Sequence, residues 1–146
     1  MPETTQDYFD YKNNSTSHTL ELQFSYLLNL KKNDNLAFKL ATVIYGNDKK
    51  LSPAGNYKQA YSTYFEINYG IDSLFSKYGC EARMGFSLRE SPANYMVEKF
   101  SWICAELKFD RKFELNDTDE LTPSVAFTVN PKFNEAYISL GIAFSF

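Results

Sequence analysis

The chain has 146 residues and a net charge of -3, so it is long enough for one domain with a sizeable core. The slightly acidic balance offers no basic surface, and we therefore expect no nucleic-acid partner. Aromatic residues make up 17% of the chain, chiefly as 11 Tyr and 13 Phe, and so many large rings require extensive buried faces or a membrane interface.

Apolar residues recur at every second position along most of the chain, which predicts β-strands. Residues 1–17 are polar and are expected to hold at most one short strand, at 7–12. Seven further strands are predicted, at 20–28, 36–45, 57–70, 80–89, 100–110, 121–129 and 137–146. Because polar turns separate them in hairpin order, we predict a single domain over residues 1–146, an all-β, antiparallel up-and-down meander β-barrel of about eight strands.

The same alternation assigns side chains to the two faces of each strand. It groups Cys80 with Phe86, and it groups Cys104 with Trp102 and Glu106 on the opposite face of the neighbouring strand. Two such cysteines point away from one another, so no disulfide is expected.

The polar faces of the predicted strands carry four acidic and four basic side chains, namely Glu21, Lys39, Glu66, Glu81, Arg83, Arg89, Glu106 and Lys108. Balanced charges suit a narrow barrel interior, because an unpaired buried charge is costly. The apolar face would then meet lipid. An eight-stranded barrel is filled by its own side chains, so we predict a membrane-type barrel with an interior charge network and no open pore.

The last predicted strand has one apolar face and one narrow face. The residues between its apolar ones are small or mildly polar, unlike the charged residues that keep an exposed soluble strand from pairing. With its terminal aromatic residue, this stretch resembles the C-terminal targeting strand of bacterial outer-membrane β-barrels, carried by Tyr137, Ile138, Leu140, Ile142, Phe144 and Phe146. The resemblance implies residence in the lipid bilayer of the outer membrane and recognition by the barrel-assembly machinery.

A wider resemblance rests on four segments: KQAYSTYFE (58–66), LTPSVAF (121–127), NP (130–131) and AYISLGI (136–142). Together they resemble the C-terminal part of an uncharacterised outer-membrane barrel family common in Bacteroidetes. The resemblance implies further strands upstream, and it implies no particular activity.

In this interpretation, function lies in the scaffold and in the external loops at 47–56, 90–98 and 130–134, as a structural or surface-interaction role. No signal peptide is visible before the first strand, and we expect that it has been removed. The alternation leaves one alternative open, a soluble calycin-like β-barrel that binds a small apolar ligand in its interior.

Enzyme activity is not expected. The single histidine, His18, follows Ser17, and this pair near a barrel rim is the one feature that suggests a lipid-modifying enzyme. A nucleophile needs a base and an orienting group at bonding distance, and the sequence points to no such set. The chain has no Cys/His spacing for a metal and no phosphate-binding glycine loop, so no metal or cofactor is predicted.

Overall fold

The computed structural model describes residues 18–31, 34–74, 78–92, 94–116 and 118–146. The short strand predicted at 7–12 lies outside these ranges. All regular structure within them is β-strand: β1 (Thr19–Lys31), β2 (Asp34–Gly46), β3 (Lys49–Leu51), β4 (Tyr57–Gln59), β5 (Thr63–Leu74), β6 (Tyr78–Ser87), β7 (Ser101–Arg111), β8 (Phe113–Glu114), β9 (Glu120–Asn130) and β10 (Glu135–Ser145).

The main sheet has eight strands, and its long strands are neighbours in chain order: β1, β2, β5, β6, β7, β9 and β10, with the short β8 beside β9. Strand β9 pairs antiparallel with both β7 and β10. The prediction of an all-β antiparallel sheet with seven long strands is therefore confirmed. In the described part of the chain β1 and β10 are the edges of this sheet, so closure into a barrel stays a prediction.

The strand predicted at 57–70 is divided in the structure. Its first part, β4, forms a separate two-stranded sheet with β3. Tyr61 between β4 and β5 has a φ of 54°, in the left-handed region that strand residues avoid. The residues on either side of Tyr61 form backbone hydrogen bonds outside the strand ladders. Ala60 N–H donates to the Asp48 carbonyl, and the Ser62 carbonyl accepts from Val43 N–H.

The predicted alternation also fails at the start of β7. Phe86 and Trp102 were predicted on opposite faces, yet their rings stack with centroids 6.5 Å apart. The Trp102 indole N–H donates to the Cys104 carbonyl two residues along, and Ile103 is buried although the pattern placed it with the exposed Leu107. The alternation therefore changes phase between the first residues of β7 and Leu107.

The chain forms two compact units. Among described residues, the first unit contains 18–24, 40–64 and 87–101. The second unit is formed within 25–39, 65–86 and 102–146.

In the first unit, β2 buries small side chains and exposes large ones. Ala41 is 2% exposed and Val43 is also buried, whereas Leu40 is 38% exposed and Ile44 is exposed as well. Because successive strand residues point to opposite faces, the buried face of β2 here is its narrow one.

The second unit repeats this inversion on β9 and β6. Thr128 is 1% exposed, while its neighbour Phe127 is 50% exposed. On β6, Gly85 is buried and Met84 is exposed. Globular proteins in water usually bury Leu, Phe and Met and expose polar residues, so these strands have the opposite preference.

Candidate functional site

Three adjacent strands of the second unit align large apolar side chains in cross-strand rows. Leu140 of β10 lies opposite Val125 of β9, which in turn lies opposite Phe109 of β7. The next row consists of Ile138, Phe127 and Leu107. All six side chains are exposed, Leu140 to 85%. Directly opposed residues of antiparallel strands are close enough to interact, so these six form a continuous surface, here called the apolar strip.

The C-terminal strand extends this apolar surface toward its own end. Ile142 lies opposite Pro123, and Phe144 lies opposite Leu121. Phe146 follows the last residue of β10 and is 97% exposed. Of the residues predicted for targeting, Tyr137 lies opposite Thr128, on the other face from Ile138 and Leu140.

The face opposite the apolar strip carries a half-buried charge cluster, formed by Glu66, Arg83, Glu106 and Thr128. Arg83 Nη2 on β6 lies 3.0 Å from Glu106 Oε2 on β7. Arg83 Nη1 lies 3.8 Å from Glu66 Oε2 on β5. Thr128 lies opposite Glu106 in the β7–β9 pair, and its hydroxyl donates to Glu106 Oε2 at 2.9 Å. The Arg83 guanidinium therefore lies between two carboxylates, and the Thr128 hydroxyl donates a further hydrogen bond to one of them, that of Glu106.

The structure brings together three of the eight charged side chains predicted to form a network, and these are Glu66, Arg83 and Glu106. Glu81 accepts a hydrogen bond from the Asn68 amide instead. Lys108 lies opposite the uncharged Ala126. Within the described ranges, no salt bridge of 4.0 Å or less includes Glu21, Lys39, Arg89 or Lys108.

A polar cavity of about 130 Å³ adjoins Asn68 and Glu81. Its wall also includes Gly79 and Asp110, and a Cβ atom added to Gly79 would lie 2.7 Å from Asp110 Oδ1. The absence of a side chain at Gly79 thus leaves room for the Asp110 carboxylate. The described His, Cys, Asp and Glu side chains form no group of three or more that could hold a metal ion.

The first unit contains a buried carboxylate that sequence reasoning missed. Asp48 is fully buried. Its Oδ2 accepts from the Ser62 backbone N–H at 2.8 Å, and its Oδ1 accepts from the Ser62 hydroxyl and, at 3.0 Å, from Asn94 Nδ2. Asp48 thereby joins 47–62 to the described residues of 88–100, which we together call the loop cap. In the sequence it stands in a lysine-containing polar turn, and nothing there signals burial.

The loop cap has further internal contacts and an apolar outer surface. Lys50 Nζ lies 2.8 Å from Glu90 Oε2, which adds a second link between its two segments. Leu51 and Tyr57 lie opposite each other in the β3–β4 hairpin, and both are exposed. Met96, with a φ of 51°, is exposed on the other segment. The loop cap therefore presents large apolar side chains on an ordered backbone.

His18, the single histidine, takes part in a backbone contact before β1. Its carbonyl accepts a 2.9 Å hydrogen bond from Asn47 N–H, and a Cβ atom on Gly46 would lie 2.0 Å from the same carbonyl oxygen. Ser17, its expected neighbour in a catalytic pair, lies outside the described residues. The absence of enzyme activity stays a prediction.

Comparisons with protein-family models, curated proteins and solved structures found no match. Within the described ranges, no helix has the length and hydropathy needed to cross a membrane. A functional conclusion therefore depends on the apolar strip, the charge cluster and the loop cap themselves.

Proposed function

We propose that this protein is a bacterial outer-membrane β-barrel of about eight strands with a filled polar interior. In this proposal the apolar strip faces lipid and the charge cluster lies inside the barrel. The loop cap and the turn at 130–134 face the cell exterior and serve a structural or surface-interaction role. The proposal includes no open pore.

The inversion of burial along single strands carries the proposal. Thr128 is buried beside a charged partner, while the adjacent Phe127 and the opposing Ile138 are exposed. Leaving a Leu, Ile or Phe side chain in water forfeits about 1.5–3 kcal/mol relative to burial, and soluble monomers rarely expose large contiguous apolar patches. Contact with the acyl chains of a bilayer takes these side chains out of water and removes this cost. The apolar strip therefore supports a lipid-facing assignment.

The charge cluster supports a filled interior. Ionic groups removed from water need opposite charges and hydrogen-bond donors nearby. Arg83 lies between the carboxylates of Glu66 and Glu106 and offsets one of their two negative charges, and Thr128 supplies a further donor to Glu106. Side chains that bridge β5, β6, β7 and β9 in this way occupy the interior space, which is why the proposal excludes a pore.

The loop cap supports a surface-interaction role. A fully buried Asp48 restrains both of its segments, so the exposed Leu51, Tyr57 and Met96 are displayed from an ordered backbone. Tyr and Met are enriched in protein–protein interfaces. The loop cap is therefore the surface most suited to contact another macromolecule.

The C-terminal strand supports recognition by the barrel-assembly machinery. β10 is an edge of the described sheet, and an edge strand offers backbone groups to an incoming strand. Phe146 at its end is exposed. The resemblance to the Bacteroidetes barrel family belongs to the same proposal and suggests a bacterial origin.

The alternative of a soluble calycin-like barrel requires the Leu, Ile and Phe side chains to converge on an enclosed ligand cavity. The exposure of Leu107, Phe127 and Leu140 supports the opposite arrangement. The outer-membrane interpretation is therefore preferred.

A fluorescence-quenching experiment tests which face meets lipid. Cys80 and Cys104 are replaced by Ser, and single cysteines are introduced by Leu140→Cys or Ser139→Cys for labelling with a small environment-sensitive fluorophore. Adjacent strand residues point to opposite faces, so the two labels differ chiefly in orientation. In vesicles containing brominated lipids, we expect strong quenching at position 140 and weak quenching at position 139.

Equal quenching at both positions, or stronger quenching at position 139, would contradict the proposal. Failure of the folded chain to enter vesicles, together with full solubility in detergent-free buffer, would favour the calycin-like alternative. A mobility difference between unheated and heated samples on a gel checks that each labelled variant is folded.

A further inference from the structure

Arg111 ends β7 against two aromatic rings. Its guanidinium carbon lies 4.5 Å from the ring centre of Phe113 and 5.4 Å from that of Tyr78. Nη1 also donates a 3.4 Å hydrogen bond to the Tyr78 hydroxyl. Stacking on aromatic faces is a favourable arrangement for a guanidinium, and it holds the charge of Arg111 near the ring surfaces.

No described carboxylate balances this charge through a salt bridge of 4.0 Å or less. The preceding Asp110 lies against Gly79, where an added Cβ would approach its Oδ1 to 2.7 Å. The following Lys112 lies 3.9 Å from Glu120. Arg111 is thus a cation to which an external anion can bind.

A mainly apolar cleft of about 280 Å³ opens beside Arg111, with walls that include Phe109, Pro123 and Val125 and, as polar residues, Asp110 and Ser124. Phe109 and Val125 are also part of the apolar strip, as an opposed pair of β7 and β9. A ligand that fills the cleft and reaches Arg111 needs hydrocarbon next to a negative group. A phosphate ester joined to acyl chains has this chemistry.

We propose that Arg111 and the adjoining cleft bind a phospholipid with an anionic headgroup. The phosphate contacts the guanidinium and the Tyr78 hydroxyl, and an acyl chain lies along Phe109 and Val125. The inference rests on the proposed function, because it requires the apolar strip to face lipid. Pro123 in the cleft lies opposite Ile142 near the end of β10, so the bound lipid belongs to the leaflet at that end of the strands.

Native mass spectrometry of the full chain refolded in dodecyl maltoside tests this site. The probes are dioleoylphosphatidylglycerol and its phosphatidylcholine counterpart, which has the same phosphate but whose quaternary ammonium cancels the negative charge of the headgroup. We expect the wild-type chain to retain the anionic lipid about fivefold more strongly, the effect expected of one basic residue at an anionic membrane surface. Arg111→Gln should abolish this preference, whereas Lys112→Gln, which removes the same charge one residue away, should keep it.

Val125→Trp provides a second variant, because it fills the cleft and leaves Arg111 in place. It should also weaken retention of the anionic lipid. Glycerol phosphate, which has the headgroup without acyl chains, should not displace the bound lipid. Full displacement by glycerol phosphate, an unchanged preference in Arg111→Gln, unchanged retention of the anionic lipid in Val125→Trp, or an equal loss of preference in Lys112→Gln would overturn the proposal.

The brominated-lipid experiment is performed first, on the labelled variants described above. If position 140 is quenched more strongly than position 139 but no headgroup preference is found, only the lipid site is overturned. If quenching is equal at both positions or stronger at position 139, the outer-membrane assignment and the lipid site are overturned together.

Discussion

Arg83 and Glu106 form the closest ion pair of the charge cluster, with Arg83 Nη2 at 3.0 Å from Glu106 Oε2. Their strands, β6 and β7, are neighbours in the sheet. Both side chains are half-buried, so solvent screens the pair less than it would screen a fully exposed one.

A double-mutant cycle with Arg83→Met and Glu106→Gln should reveal a favourable coupling of about 1–2 kcal/mol. This value lies between those of exposed and buried pairs. Glu106→Gln preserves a side-chain oxygen that can accept from Thr128, so the hydrogen bond from Thr128 can persist throughout the cycle. Urea unfolding in detergent, followed by the fluorescence of the single Trp102, provides the measurement. A coupling below about 0.3 kcal/mol would show that the two charges act independently.

Removal of the buried carboxylate by Asp48→Ala should destabilise the loop cap by about 3 kcal/mol. The buried Ser62 loses the acceptor of both its N–H and its hydroxyl, and unsatisfied buried donors are costly. The exposed Asn94 loses a hydrogen bond as well. Limited proteolysis should then cleave within 47–62 or 88–100 at lower protease concentration. Glu98→Gln is the control, because Glu98 is an exposed carboxylate of the same unit. Equal protease resistance of Asp48→Ala and the wild type would contradict the assigned role.

Gly46→Ala should destabilise the first unit by about 3 kcal/mol, as expected for strain combined with a clash. Gly46 has a φ of 99°, and an added Cβ would lie 2.0 Å from the His18 carbonyl oxygen. Gly55→Ala is a matched control, because its φ is 79° but its Cβ would have no atom within 4 Å. Gly55→Ala should cost only about 1 kcal/mol. Hydrogen exchange of the Asn47 amide, which donates to His18, should accelerate in Gly46→Ala alone.

Phe146→Ala should slow membrane assembly and leave folded stability nearly unchanged. The side chain is 97% exposed, so its removal should alter the free energy of unfolding in detergent by less than about 0.5 kcal/mol. Assembly into proteoliposomes that contain the barrel-assembly machinery should fall several-fold if the machinery recognises this residue. Phe133→Ala, an exposed aromatic in the turn before β10, should assemble normally. Similar assembly rates for both variants would remove the proposed targeting role.

Local pattern was sufficient to predict the long strands and most of their faces. The period-two alternation around Thr128 or Leu140 depends only on neighbours in the chain, because each strand residue points opposite to the next. Alternation also separated Leu40 and Ile44 from Ala41 and Val43 on β2, and the structure exposes the first pair and buries the second. It failed where a local contact intervened, as between Trp102 and Cys104.

The tertiary structure decided the pairings between distant residues. Eight charged side chains had similar sequence contexts, and only the packing of β5, β6 and β7 brings Arg83 next to Glu66 and Glu106. Asp48 is buried because Asn94, 46 positions away, and Ser62 surround its carboxylate. By itself the sequence determined where the chain is extended and which side of each strand is apolar. Register, loop contacts and ion-pair partners required the folded chain, because they join residues whose separation in sequence carries no local signal.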